Sequence, residues 1–337
     1  MLVTHLTHVR YLSGFSGSNG ALLLHKDLEA QIATDGRYLT QIAAEVPDIE
    51  ALDARAVGPD LLATVTGPKR VGFEADFVSV SQLQRLEKAV GEDVTLVPIS
   101  GVIEDIRLVK EPYELERLRE VAVIANTAFQ ELIDENLIRA GRTETEVAAD
   151  LEYKMRLHGA ERTSFETIVA SGPNSAMPHH EPGARVLEEG DIVTIDFGAH
   201  AAGYNSDTTR TVIISEADEF ATEIYNIVLK AQLAGVAAAI PGAKLSDVDK
   251  ACRDIITDAG YGEYFVHSTG HGVGLDLHES PYAASSGQGE LVEGMTLTVE
   301  PGIYVPGKGG VRIEDTLVIT AGQPENLTHL VKDLTIV

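Results

Sequence analysis

Beyond residue 105 the chain repeats itself, and a duplication of this length commits the second part of the protein to two like halves. Gly141 and Gly242, Val147 and Val248, and Gly159 and Gly260 each stand 101 positions apart. Leu187 and Leu291, Gly190 and Gly294, and Asp196 and Glu300 each stand 104 apart. An internal repeat is read before any motif, because it sets the plan into which every motif must fit. Each half reads as a helix pair ending in glycine, followed by an antiparallel hairpin. Leu118, Val121, Ile124, Ala125 and Phe129 lie at helical spacing and predict a long helix over 114–138, with Pro112 ahead of it. Residues 245–259 read as a helix of the second half. Thr143 with Glu146, and Ser246 with Asp249, have the spacing of an N-cap whose acid reaches back from the third helical position. The segments 192–197 and 296–300 alternate and are rich in β-branched residues, so each is expected to pair with a following strand, over 204–214 and 311–319.

The first hundred residues have a different texture. Short apolar runs at 21–24 and 31–33 alternate with turn clusters such as Ser13-Gly-Phe-Ser-Gly-Ser-Asn-Gly. We therefore expect an α/β (α+β) protein with a small α/β domain over 1–105 and a duplicated domain over 106–337. A chain of 337 residues with 44% hydrophobic content has material for two cores. No apolar run reaches the length of a membrane span. The start, Met1-Leu-Val-Thr-His, lacks the basic and apolar regions of a signal peptide, and Cys252 is the sole cysteine, which fits a reducing cytoplasm. With no partner thiol, Cys252 reads as a buried structural residue. Fifty-two acidic against 26 basic residues give a formal charge of -26, which repels a phosphate backbone and argues against nucleic-acid binding.

Four acids stand in the predicted hairpins: Asp196 and Asp207 in the first, Glu300 and Glu314 in the second. A carboxylate in an apolar strand must be neutralised, paired or bound to metal, and four converging acids repel one another unless cations sit between them. Two divalent ions would cancel four negative charges. His271, flanked by Gly270 and Gly272, supplies one softer ligand, and the glycines let backbone approach closely. Four carboxylates and an imidazole suit manganese, cobalt or iron(II), with zinc also possible.

The motifs Asp196-Phe-Gly-Ala, Ser206-Asp-Thr-Thr-Arg-Thr, Gly270-His-Gly-Val-Gly-Leu, Val299-Glu-Pro-Gly-Ile-Tyr and Val311-Arg-Ile-Glu-Asp-Thr, in that order, resemble the aminopeptidase P and prolidase branch of the pita-bread metallopeptidases. Residues 11–20 and Thr34-Asp-Gly-Arg-Tyr resemble the creatinase-like N-terminal domain of the same proteins, so the resemblance covers the whole chain. It implies a pita-bread catalytic domain with a pseudo-two-fold axis and two divalent metal ions, manganese first among them. Asp207 and Glu314 would bridge the ions, Asp196 would complete one, and His271 with Glu300 the other. It further implies Glu300 as proton shuttle and His278 and His179 as donors to the oxyanion. His267, Tyr304 and Arg312 are expected on the substrate side, with Arg312 supporting Glu314 from two residues away on one strand face. The implied substrate is a proline-containing peptide, and a homodimer is expected.

Creatine-cleaving relatives and binding proteins built on this fold have lost ligands, and methionine aminopeptidases lack the first domain; the complete set and residues 11–38 argue against all three. Within the proline branch, some prolidases carry an Arg after the His-Glu-X-Pro stretch, to hold a dipeptide's free carboxylate. Here His278-Glu-Ser-Pro-Tyr places Tyr282 at that point, which leans toward aminopeptidase P, with Xaa-Pro dipeptidase as the alternative. Family members also commonly carry a helix before the strand that residues 2–6 resemble, so an upstream start codon or a less stable first domain is expected.

Overall fold

In the computed structural model, which describes residues 1–27 and 29–337, Leu22 and Leu23 are both buried although they point to opposite faces of the strand Ala21–Leu24. The sheet holding them is therefore covered on both sides. It has six strands in the order Glu50–Asp53, Ala30–Thr34, Ala21–Leu24, Leu2–Val3, Lys69–Glu74, Val94–Ile99. Leu2, Leu23 and Leu61 build one core, and Val3, Leu22 and Ile32 the other. These strands belong to the first of two units, Met1–Ile106, and the second unit is Arg107–Val337.

The second unit is built twice. Helices Pro112–Asp134 and Glu144–Leu157 form the first pair, and Glu219–Ala238 and Leu245–Asp258 the second. Gly159 and Gly260 follow the second helix of each pair with φ of 108° and 88°, a backbone state that only glycine adopts cheaply. Gly141 N donates to Leu187 O at 2.9 Å, and Gly242 N donates to Leu291 O at 2.8 Å, so the same link recurs in both halves. Leu118, Val121, Phe129 and Leu151 pack against Val193, Ile195 and Phe197 in the first half. Ile224, Val228, Val248 and Ile256 pack against Leu297, Val299 and Leu317 in the second. Cys252 lies in that second core, its thiol donating to Ala231 O at 3.3 Å and pushed up to about 12 by burial, as suits a structural residue.

Several local expectations are corrected. The first long helix stops at Asp134 rather than running to residue 138, because Asn136 takes a φ of 52°. Thr143 caps its helix and forms a full capping box with Glu146, but Ser246 does not cap. The second-half helix begins at Leu245 with Lys244 at its N-cap, the residue that the 101-position offset from Thr143 designates, and Asp249 instead faces Arg253 and Thr269. The expected strand over 204–214 is broken into Tyr204–Asn205 and Thr208–Ile213, and that over 311–319 into Gly309–Arg312 and Asp315–Val318. Asp207 and Glu314 sit in the two breaks, where the chain leaves its ladder and turns a carboxylate inward. Among the described residues no helix is long and apolar enough to cross a membrane.

Candidate metal centre and active site

Ile192–Phe197 and Thr208–Ile213 pair antiparallel with Asp196 opposite Thr209, which brings Asp196 and Asp207 to the same end of the hairpin. Thr296–Val299 pairs with Asp315–Val318, so Glu300 and Glu314 leave that second ladder side by side. The two hairpins are stitched together at this point. Glu314 N donates to Thr209 O at 3.1 Å, and Thr209 Oγ1 donates to Glu314 Oε2 at 2.8 Å. His271 arrives on the strand Gly270–Gly272. A Cβ on Gly270 would stand 1.8 Å from Thr298 O, so only glycine allows His271 so close to the second hairpin. Ligand atoms of Asp196, Asp207 and Glu314, of His271, Glu300 and Glu314, and of Asp207, His271 and His278 gather in three groups, each spanning no more than 4.8 Å.

The electrostatics of this cluster call for a cation. Burial and the neighbouring acids Asp196 and Glu300 push the Asp207 carboxyl well above its usual range, and burial with Asp207, Glu300 and Asp196 does the same to Glu314. Glu300 is pushed up to about 8 by burial, with Asp196 adding to it. His271 is lowered to about 4 by burial and is therefore neutral at pH 7. Its Nδ1 faces Gly272 O at 3.0 Å, and a carbonyl can only accept, so the proton is on Nδ1. The Nε2 lone pair is left pointing at Glu300 Oε1 and Asp207 Oδ2, 3.4 and 3.5 Å away. Lone pair facing lone pair is repulsive unless something positive lies between. Asp196 Oδ1 is also buried without a hydrogen-bond partner. An orphaned carboxylate oxygen, an imidazole lone pair and three further acids fit divalent cations with oxygen and nitrogen ligands.

A cavity of about 1050 Å³ opens onto the cluster, with His179, His267, His278, Tyr282 and Arg312 in its wall. Tyr304 lies behind that wall, 4% exposed. Its hydroxyl joins two residues that do line the cavity, donating to His267 Nε2 at 2.9 Å and accepting from Arg312 Nη1 at 2.8 Å. Arg312 in turn donates to Asp196 Oδ2 at 2.6 Å and to Thr209 Oγ1 at 3.0 Å. His267 is lowered to about 4 by burial and by the Arg312 charge. His278 stacks edge-on against His271 with ring centres 4.3 Å apart, and its imidazole is pushed down by burial.

Two supporting residues stand outside the set to which the sequence points. Glu144 is completely buried and accepts from Ser171 N and Oγ, Asn174 Nδ2, His180 Nε2 and Gly183 N at 2.7–3.1 Å, anchoring the loop that carries His179. Its place in the first turn of a helix reads as ordinary dipole compensation. Arg253 binds Asp249 with two nitrogens and also donates to Phe265 O and His267 O, which fixes the approach to His267.

Residues 116–321 match the model of metallopeptidase family M24, and residues 1–109 match the creatinase/prolidase N-terminal domain. The chain belongs to metallopeptidase family M24. This M24 enzyme resembles a solved Xaa-Pro dipeptidase from Bacillus anthracis, with a TM-score of 0.95 and 42% identity over 100% of this chain and 94% of that one. It is 37% identical to an Xaa-Pro dipeptidase of Pyrococcus horikoshii over 99% of this chain and 93% of the relative. A solved X-Pro aminopeptidase from Thermotoga maritima has a TM-score of 0.91 and 36% identity, covering 100% of this chain and 97% of that one. The M24 peptidase thus has the mixed α/β plan of a creatinase-type N-terminal domain and a pita-bread domain, and is a divalent-metal hydrolase acting on peptides.

Proposed function

We propose that this M24 peptidase is an Xaa-Pro dipeptidase, a prolidase, the alternative to the aminopeptidase P reading drawn from Tyr282 and the better supported of the two. The carrying observation is the cluster of four carboxylates around the His271 lone pair; the choice of substrate is supported by relatives named Xaa-Pro dipeptidase along nearly the whole chain. Asp196, Asp207, His271, Glu300 and Glu314 would hold two divalent ions, manganese first among the candidates. When bound, such ions lower the pKa of a water and polarise a carbonyl.

The chain's own residues do the rest. Glu300, beside the site of attack, would take a proton from the attacking water and return it to the departing proline nitrogen. His278 and His179, in the cavity wall, are the donors for the tetrahedral oxyanion. His267, held by Tyr304 and the carbonyl of Ser268, faces the substrate in one orientation. Because a proline nitrogen in a peptide carries no hydrogen, the pocket must select it by shape. A homodimer and a cytoplasmic location belong to the same reading, and sedimentation tests the first.

One observation favours aminopeptidase P as a second reading. Arg312 is the only Lys or Arg among the described residues of the cavity wall, and its guanidinium is taken by Asp196, so a dipeptide's carboxylate finds no free guanidinium there. Turnover of Xaa-Pro and Xaa-Pro-Yaa peptides with manganese, cobalt and zinc decides between the two. The dipeptidase reading expects kcat/KM to favour the dipeptide; preference for the longer peptide would replace it with aminopeptidase P.

A further inference from the structure

Arg107 and Lys110 are buried, 3% and 4% exposed, and the chemistry above uses neither. A guanidinium and an ammonium are costly to bury unless both are paired and hydrogen-bonded. Both are paired with one short segment. Arg107 Nη1 lies 2.8 Å from Asp276 Oδ2, its Nη2 donates to Glu279 Oε2, and Lys110 Nζ lies 2.6 Å from Glu279 Oε1. The four charges cancel. Lys110 is itself anchored, its backbone N donating to Gly294 O at 2.9 Å. A Cβ on Gly274 would stand 2.5 Å from the Glu279 carboxylate, so the acid is packed closely against its own loop.

The segment held in this way carries His278. Asp276 lies two residues before it and Glu279 one residue after, so both flanks are pinned. Among the described residues none makes a hydrogen bond to the His278 ring, which meets the His271 ring edge-on. The ring's direction must therefore come from the backbone that bears it. We infer that Arg107 and Lys110 are positioning residues for the reaction, clamping segment 276–279 so that His278 meets the cavity in one orientation. This rests on the reading of His278 as a donor to the reacting carbonyl.

The test uses the full chain loaded with manganese. Arg107→Met is expected to lower kcat about 100-fold, the loss that a misplacement near 1 Å produces, with KM within about threefold and metal content unchanged. Arg107→Lys recovers part of that loss. In a His278→Ala background Arg107→Met costs nothing further, because the two act along one path. In metal-free protein the His278 ring gives one sharp set of NMR resonances, which broadens or splits in Arg107→Met. Wild-type kcat in folded Arg107→Met, or an equal loss in the His278→Ala background, overturns the inference. If Arg107→Met does not fold, Glu279→Gln decides by the same measurements. Full activity in His278→Ala would sink the reading of His278 instead, and the ring resonances separate that outcome from failure of the clamp.

Discussion

Arg312 Nη2 donates to Asp196 Oδ2 at 2.6 Å, so the guanidinium in the cavity wall already has a carboxylate of its own. The same side chain serves Thr209 and Tyr304, three partners that a planar fork can reach together and a single ammonium cannot. Arg312→Met should lower the unfolding free energy by about 3 kcal/mol, as expected when one member of a buried pair is removed. Urea titration measures it, and Arg312→Lys should recover little.

Asp207→Asn and Glu314→Gln should each abolish peptidase activity and lower bound metal, since each acid belongs to two of the three ligand groups. Metal analysis of the purified variants is the check. Full stoichiometric metal with near-normal turnover in either would remove the two-metal reading.

His278→Ala should keep its metal and lose roughly two to three orders of magnitude in kcat, the usual worth of an oxyanion donor. His271→Ala should lose metal. Equal metal loss in both variants would make His278 a ligand or a scaffold residue.

The metal-free protein should lose stability as pH rises from about 7 to about 8.5. Glu300 titrates near 4.5 when unfolded and at about 8 when folded, so between those values the folded chain holds a proton that the unfolded chain has released, stability falls as pH rises, and its share of the fall levels off above about 8. Asp207 and Glu314 act in the same direction. His267 and His271, lowered from 6.5 to about 4, favour the fold increasingly as pH rises to 6.5 and are constant above it. Urea unfolding in a chelator at the two pH values measures the decline, and saturating manganese should remove it. A flat profile in chelator would mean that the acids are not crowded.

Tyr282→Arg should shift kcat/KM toward dipeptides by about tenfold, near the lower worth of a hydrogen bond to a charged group. Paired assays of Xaa-Pro and Xaa-Pro-Yaa measure it, and an unchanged ratio would place the carboxylate away from residue 282.

The acids of the site were legible because a charge among β-branched residues is an anomaly that a strand tolerates only for a reason, and Asp196 and Glu300 kept the offset of the repeat. What was not legible lies in depth and in distant pairing. Tyr304 stands four residues after Glu300, and no one-dimensional pattern tells that its ring lies behind the wall. Glu144 resembles any acid in a first helical turn, and its five donors come from 27 to 39 positions away. The N-terminal strand Leu2–Val3 slots between Ala21–Leu24 and Lys69–Glu74, a pairing that no local pattern foretells. Asp249 is different. Arg253 stands four residues along the same helix, a spacing that names an ion pair as readily as Ser246 names a cap.

The seam between the two hairpins also bears on how the chain folds. The halves share their cores, since Ile192 and Ile213 of the first pack with the second and Val318, Leu327 and Leu330 of the second pack with the first, and all four acids come together only where Glu314 N closes on Thr209 O. The mutual repulsion of the four acids is therefore complete only when the two hairpins meet. A divalent cation present during refolding would favour that meeting of the hairpins, so binding of the ion and completion of the fold are one coupled event.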